Sequence, residues 1–193
     1  DGRAIFAPFS ATSVLIYNPS SKTVEHVGEF QGGGKWNGCA VLPDGRIVFA
    51  PFSASSVLIF DPSAMTFDRV GDFQRRCKWE GCAALPNGRV VCAPYNASSM
   101  LIVDPSNKVW EEVEVDHLLK ASCKWSGCAA LPDGRVFCAP CGANGLLVAQ
   151  HASWHAEARP QRREDQAWST ARDMWRGRAF ADAAIEAGPG ESR

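Results

Sequence analysis

Residues 81–93 read Gly-Cys-Ala-Ala-Leu-Pro-Asn-Gly-Arg-Val-Val-Cys-Ala, two short apolar runs held apart by Pro86-Asn87-Gly88. Asn-Gly between apolar runs is the strongest local hairpin signal, because both central residues of a two-residue turn need φ > 0. Residues 81–85 and 89–93 are therefore read as paired strands. Outward from this hairpin, 94–98 forms a loop and Ser99-Met100-Leu101-Ile102-Val103 a third strand. Asp104-Pro105-Ser106-Asn107 reads as a turn, where Pro sets φ and Asp caps its own backbone. Val109-Trp110-Glu111-Glu112-Val113 mixes apolar and polar residues, as a half-exposed outer strand does. One unit is thus four antiparallel strands.

The unit repeats. Asp-Gly-Arg or Asn-Gly-Arg recurs with its glycine at Gly2, Gly45, Gly88 and Gly134, at intervals of 43, 43 and 46 residues. A second anchor, Lys-Trp-x-Gly-Cys-Ala, occupies 35–40, 78–83 and 124–129 in the same register. Four strands in about 43 residues is the period of a β-propeller blade, and helical repeats of that length would not carry a Pro-Asp-Gly hairpin in every unit. Within a blade the first strand lies nearest the axis, where lateral room is small, and that accounts for the repeated Gly-Cys-Ala.

Residues 42–63, Leu-Pro-Asp-Gly-Arg-Ile-Val-Phe-Ala-Pro-Phe-Ser-Ala-Ser-Ser-Val-Leu-Ile-Phe-Asp-Pro-Ser, resemble blades of the streptogramin lyase, NHL and YVTN-type propellers, and tandem-repeat propeller proteins of protists. The resemblance covers residues 1–148. It implies an all-β propeller, and for the lyase branch a catalytic histidine on the central channel beside a magnesium site. The histidines here fall elsewhere: His26 and His117 in outer strands or loops, His151 and His155 beyond the repeats.

The fold expectation is a partial β-propeller of about 3.5 four-stranded antiparallel blades. Residues 1–34 form a partial blade without its inner strand, 35–77 and 78–123 form full blades, and 124–149 a partial blade that fades after its third strand. Residues 150–193 form a tail, because Gln150-His151 stands where other units have Asp-Pro. Trp168, Ala171, Trp175 and Ala179 then fall on one helical stripe, which predicts a helix over 164–187, with a disordered extension over 156–193 as the alternative. Closed propellers need about four to eight blades, and end repeats need capping. The chain is accordingly read as a piece of a larger propeller, with a homodimer completing the ring or a capping tail as the other routes.

Twenty basic and 21 acidic residues leave a net charge of −1, which gives no global attraction for nucleic acid. No apolar run approaches the roughly 18 residues of a membrane span, and no secretory leader is visible at Asp1. The compartment stays open, with an intracellular one favoured by the missing leader and the unpaired cysteines.

Seven of the eight cysteines fall on repeat positions: Cys39, Cys82 and Cys128; Cys92 and Cys138; Cys77 and Cys123. With a two-residue turn at Asn87-Gly88, Cys82 pairs with Ala93, so Cys82 and Cys92 face opposite ways and neither a bridge nor a shared metal is expected. Cys138 and Cys141 form a lone C-x-x-C, whereas zinc sites come as two such pairs; no metal ligands are assigned.

The candidate ligand-binding residues are Lys35-Trp36, Lys78-Trp79 and Lys124-Trp125, which open the inner strands and would set indoles and ammonium groups round one channel mouth. Aromatic faces beside cations suit an acidic or sugar-like ligand or a partner's acidic loop, while a Trp in every blade equally suits packing between blades. Arg75 and Arg76 add positive charge beside Lys78, and Asn96, with Ser53, Ser55, Ser98 and Ser99, offers hydrogen-bonding edges on the same loops. No catalytic residue is assigned, since no acid, base or nucleophile stands out of the repeat. The functional expectation is a binding or scaffold propeller presenting loops to a protein or small ligand, without a cofactor. The alternatives are a lyase- or lactonase-type propeller enzyme with a divalent metal in its channel, and a structural subunit of a larger assembly.

Overall fold

The computed structural model describes residues 2–116, 118 and 121–150, together with the backbone of 155–160. The predicted helix over 164–187 and the side chains of His117, His151 and His155 lie outside the described residues. Among the described residues fifteen strands lie in four sheets, and within each sheet strands adjacent in sequence are adjacent in space. The first sheet holds β1 (Ala4–Phe6), β2 (Val14–Asn18) and β3 (Thr23–Val27). The second holds β4 (Trp36–Val41), β5 (Ile47–Pro51), β6 (Val57–Asp61) and β7 (Thr66–Val70). The third holds β8 (Trp79–Ala84), β9 (Val90–Pro94), β10 (Ser99–Asp104) and β11 (Val109–Glu114). The fourth holds β12 (Trp125–Ala130), β13 (Arg135–Pro140), β14 (Gly145–Gln150) and β15 (His155–Pro160).

The fourth sheet therefore has a fourth strand where the sequence reading began a tail at 150. The missed signal is weak by nature. An outer strand is held mainly by backbone pairing along one edge, so its composition is free to drift, and the short alternation of alanine with charge in His-Ala-Glu-Ala-Arg carries few apolar side chains.

The hairpin register also differs from a two-residue turn. Leu85 N donates to Arg89 O (2.8 Å) and Gly88 N to Leu85 O (2.9 Å), which leaves three residues in the loop, with Gly88 at φ +82°. A three-residue loop closing on a left-handed glycine adds one residue to the turn and slides the ladder by one. Cys82 consequently stands opposite Cys92, and Cys128 opposite Cys138. The expectation that these sulfurs face opposite ways is corrected by that shift.

Apolar side chains gather in three seams, one between each pair of successive sheets. The middle seam joins Val48, Val57 and Ile59 to Trp79, Val90 and Leu101, all at most 2% exposed. Burial of this kind stabilises by roughly 25 cal/mol per Å² of apolar surface removed from water. The repeat thus earns its stability between blades as much as within them.

Candidate functional site

The inner strands β4, β8 and β12 lie side by side. Their Trp-x-Gly sequences make that possible: Gly38, Gly81 and Gly127 take φ of +81°, +74° and +75°, and a β-carbon on Gly38 would sit 2.5 Å from Gly81 Cα. Each glycine lies in an irregular step of the ladder, between the paired residues Trp36 and Cys39, Trp79 and Cys82, and Trp125 and Cys128.

The lysines and tryptophans proposed for a ligand occupy the interior. Trp36, Trp79 and Trp125 are 2%, 2% and 0% exposed, and each Nε1 donates at 2.8 Å to a carbonyl at the start of its own third strand: Ser56, Ser99 and Gly145. Phe30 and Phe73 meet the first two indoles edge-on, at centroid distances of 5.1 and 5.0 Å. Their faces are therefore taken up by protein.

The neighbouring lysines are equally enclosed. The backbone N–H of Lys35, Lys78 and Lys124 donates at 2.8 Å to Phe9, Phe52 and Tyr95 of the preceding blade. Lys78 Nζ donates to the carbonyls of Ala54 (2.9 Å) and Arg75, and Lys35 Nζ to that of Gly32. Lys124 Nζ donates to Ala97 O (2.7 Å) and meets Asp116 Oδ1 at 3.4 Å. Burial pulls the Lys78 ammonium down to about 8, because the charged form loses its hydration. The Lys-Trp pair is a strap that ties each blade to its predecessor, so the ring of free cations and indoles expected at a channel mouth does not form.

Asn96 has a similar duty, accepting the backbone N–H of Cys123 at 2.7 Å, as Ser53 Oγ accepts that of Cys77 at 3.1 Å. Both cysteines sit at left-handed φ (54° and 53°), a conformation uncommon outside glycine that these side-chain acceptors hold in place. Among the candidates Arg75, Arg76, Asn96 and Ser55 are exposed. Arg76 borders a hollow of about 350 Å³ with Glu29 and Arg69, and Arg75 the equivalent hollow of about 320 Å³ in the next seam, with Glu112.

The sequence reading missed an aromatic row. Phe9, Phe52 and Tyr95 follow the second strand of three successive blades, with centroids 5.5 Å apart at each step and rings tilted by 57° and 52°. Phe9 is 41% exposed and the other two are half-buried. Cys141 holds the same position in the fourth blade. The signal was present as the residue after Ala-Pro in every repeat, which the loop reading passed over. A hydrogen bond with the Cys123 thiol, with burial adding to it, raises the Tyr95 phenol to about 12. Glu80 of β8 stands within electrostatic reach of Tyr95, and its Oε1 accepts Ser126 Oγ–H at 3.0 Å.

At the other end of the inner strands, the Leu-Pro corners at 42–43, 85–86 and 131–132 border a shallow, open apolar hollow of about 410 Å³, with Val41 66% exposed. Among the described residues, no three His, Cys, Asp or Glu side chains gather closely enough to hold a metal ion. His26 is on β3, where its Nδ1 and Ser13 Oγ are 2.9 Å apart. No described helix is long and apolar enough to cross a membrane.

No protein-family model and no curated protein matches the sequence. Solved structures do. A streptogramin B lyase superposes with a TM-score of 0.72 at 15% identity, over 83% of this chain and 52% of that one. Virginiamycin B lyase from Staphylococcus aureus gives 0.70 at 11% identity, over 83% and 53%. The WD40 repeats of RRP9 give 0.64 at 14% identity, over 82% and 47%. The chain spans about half the length of these structures. Likeness at such low identity defines the fold, and the fold is that of a β-propeller repeat protein.

Proposed function

We propose that this chain is the binding module of a propeller, and that its loop face receives a protein segment with an apolar or aromatic side chain flanked by acidic residues. The observation that supports this reading is the stepped row Phe9, Phe52 and Tyr95, carried on the ends of rigid strands. Partly exposed rings on a fixed sheet lose little entropy on binding and are typical interface anchors, together with arginine. Arg75 and Arg76 belong to the loop leading to Lys78, whose N–H is bonded to Phe52 O, so positive charge borders the row. Rim charges of that kind steer association and set its salt dependence more than they add affinity.

Selection from a random peptide library against the full chain tests the reading. Enriched peptides are expected to carry an aromatic beside Asp or Glu, and Phe52→Ala/Tyr95→Ala should weaken them by about 30-fold or more, as expected of interface anchors worth about 2 kcal/mol. Arg75→Ala/Arg76→Ala should chiefly slow association at low salt. Peptides that bind the ring variant as tightly as the wild type, at unchanged melting temperature, overturn the proposal.

A further inference from the structure

Each of the second, third and fourth blades sets an inner-strand cysteine against a residue of its second strand: Cys39 opposite Phe49, Cys82 opposite Cys92, and Cys128 opposite Cys138. In the first two seams the inner sulfur points back to the preceding blade. Cys39 Sγ lies 3.8 Å from Ile5 O and Cys82 Sγ 3.6 Å from Val48 O, each a weak S–H···O contact. Cys128 breaks this pattern. Its Sγ lies 3.1 Å from Cys138 Sγ, across the hairpin of β12 and β13. A disulfide needs a separation of about 2.05 Å, so a movement of about 1 Å closes the gap, with both cysteines directly opposed on adjacent strands.

We infer that Cys128 and Cys138 form a reversible oxidation site that closes to an intramolecular disulfide across β12 and β13. The oxidant class is a hydroperoxide. The Cys128 thiolate attacks one peroxide oxygen, the O–O bond breaks, and for hydrogen peroxide the departing hydroxide is protonated to water, leaving a sulfenic acid on Cys128. Cys138 then gives up its proton and its sulfur attacks that of Cys128. The S–S bond forms, the S–O bond breaks, and the released hydroxide takes the Cys138 proton as a second water. Two thiols lose two hydrogens and two electrons, and one hydrogen peroxide becomes two waters.

Access assigns the order of events. Cys128 is the less enclosed residue of the two, partly exposed where Cys138 is 0% exposed, and this assigns the first oxidation to Cys128 and the resolving attack to Cys138. The hydrogen bond with Cys138, and burial after it, hold the Cys128 thiol well above the ordinary range, so its reaction is slower than that of an exposed thiol. Cys92 also contacts Cys82, but that pair is enclosed at both ends, at 0% and 7% exposure. Burial therefore makes Cys82 and Cys92 the slower pair.

The test treats the full chain carrying Cys141→Ser, which removes the exposed competing thiol, with hydrogen peroxide under native conditions. Free thiols are then alkylated and the protein is digested without reduction for mass spectrometry. The expected product has lost two hydrogens, contains a linked peptide joining Cys128 to Cys138, and reverts with dithiothreitol. With Cys138→Ser added, dimedone should label Cys128, because the sulfenic acid is no longer resolved. Folded protein that yields no such link, or that links Cys82 to Cys92 first, overturns the inference.

Discussion

Replacing Gly81 by alanine tests the axial packing of the blades. Gly81 has φ +74°, and an added β-carbon would lie 2.4 Å from Gly127 Cα and 2.7 Å from Gly127 N. Both atoms are backbone of the adjoining inner strand and cannot rotate aside. Carbon contacts settle at about 3.5–4.0 Å, so β8 and β12 must part by about 1 Å or more. The left-handed conformation costs alanine about 1–2 kcal/mol. Overpacking adds about 1–3 kcal/mol, for a total of about 2–5 kcal/mol. Gly88→Ala supplies the control, since Gly88 has φ +82° with nothing within 4 Å of an added β-carbon. That variant should lose only the conformational part, about 1–2 kcal/mol. Equilibrium denaturation followed by circular dichroism measures both losses, and a thermal melt reads them as shifts of roughly 2–4 °C per kcal/mol at this chain length. Equal destabilisation of the two variants would refute the close approach of β8 and β12.

The buried strap makes two further predictions. Trp79→Phe keeps most of the ring but leaves Ser99 O, which accepts the indole N–H at 2.8 Å, without its partner, so a loss of about 2 kcal/mol or more is expected as a lower denaturant midpoint at constant slope. A change under about 0.5 kcal/mol would show that water or another donor replaces the indole. Lys78 titrates at about 8 in the fold against an ordinary 10.5, so between those values the unfolded chain binds more protons and this group's contribution to stability rises with pH. Burial raises Cys39 from 9.0 to about 11, which works in the opposite sense above about pH 9, so the comparison must be with Lys78→Met. The wild type should gain on that variant from pH 8 to pH 10, and a constant difference across that interval would remove the claim that burial desolvates the ammonium.

Much of the fold was legible because the same hairpin returns in register. Pro-Asn-Gly marks the turn, Gly-Cys-Ala the crowded inner strand, and Asp104 the turn cap, whose Oδ1 accepts the N–H of Ser106 and of Asn107 at 3.1 Å. Register was not legible, because one extra loop residue leaves the turn signal intact while it shifts every cross-strand partner by one. That single residue separates Cys82 opposite Ala93 from Cys82 opposite Cys92. The strand β15 was lost for another reason, since an edge strand is identified by its neighbour and not by its own composition. The Lys-Trp pairs misled because a motif repeated in each blade looks like a ring of identical contacts around a channel, whereas burial directs Nζ and Nε1 to backbone carbonyls.

Repetition itself separates scaffold from site. Whatever every blade must do to join its neighbour is encoded identically: Gly38 and Gly81 allow the inner strands to touch, Gly127 repeats their left-handed conformation, and Trp36, Trp79 and Trp125 reach the same carbonyl position in their own blades. A ligand breaks that equivalence, because it meets particular blades in a particular order, so its contacts fall on positions where the blades differ. Three such positions stand out: Phe9, Phe52, Tyr95 and Cys141 after the second strand; Asn37, Glu80 and Ser126 after the tryptophan; Phe49, Cys92 and Cys138 opposite the inner-strand cysteine. The first two meet on one face, where Glu80 is within reach of Tyr95 and bonded to Ser126. The third lies within the seams, out of a ligand's reach, and its change from ring to thiol between the second and fourth blades is what sets two sulfurs 3.1 Å apart. Recognition and oxidation thus draw on different departures from one repeat. Substituting Phe52 and Tyr95 should leave the disulfide unaffected, and closing the disulfide should leave the aromatic row in place.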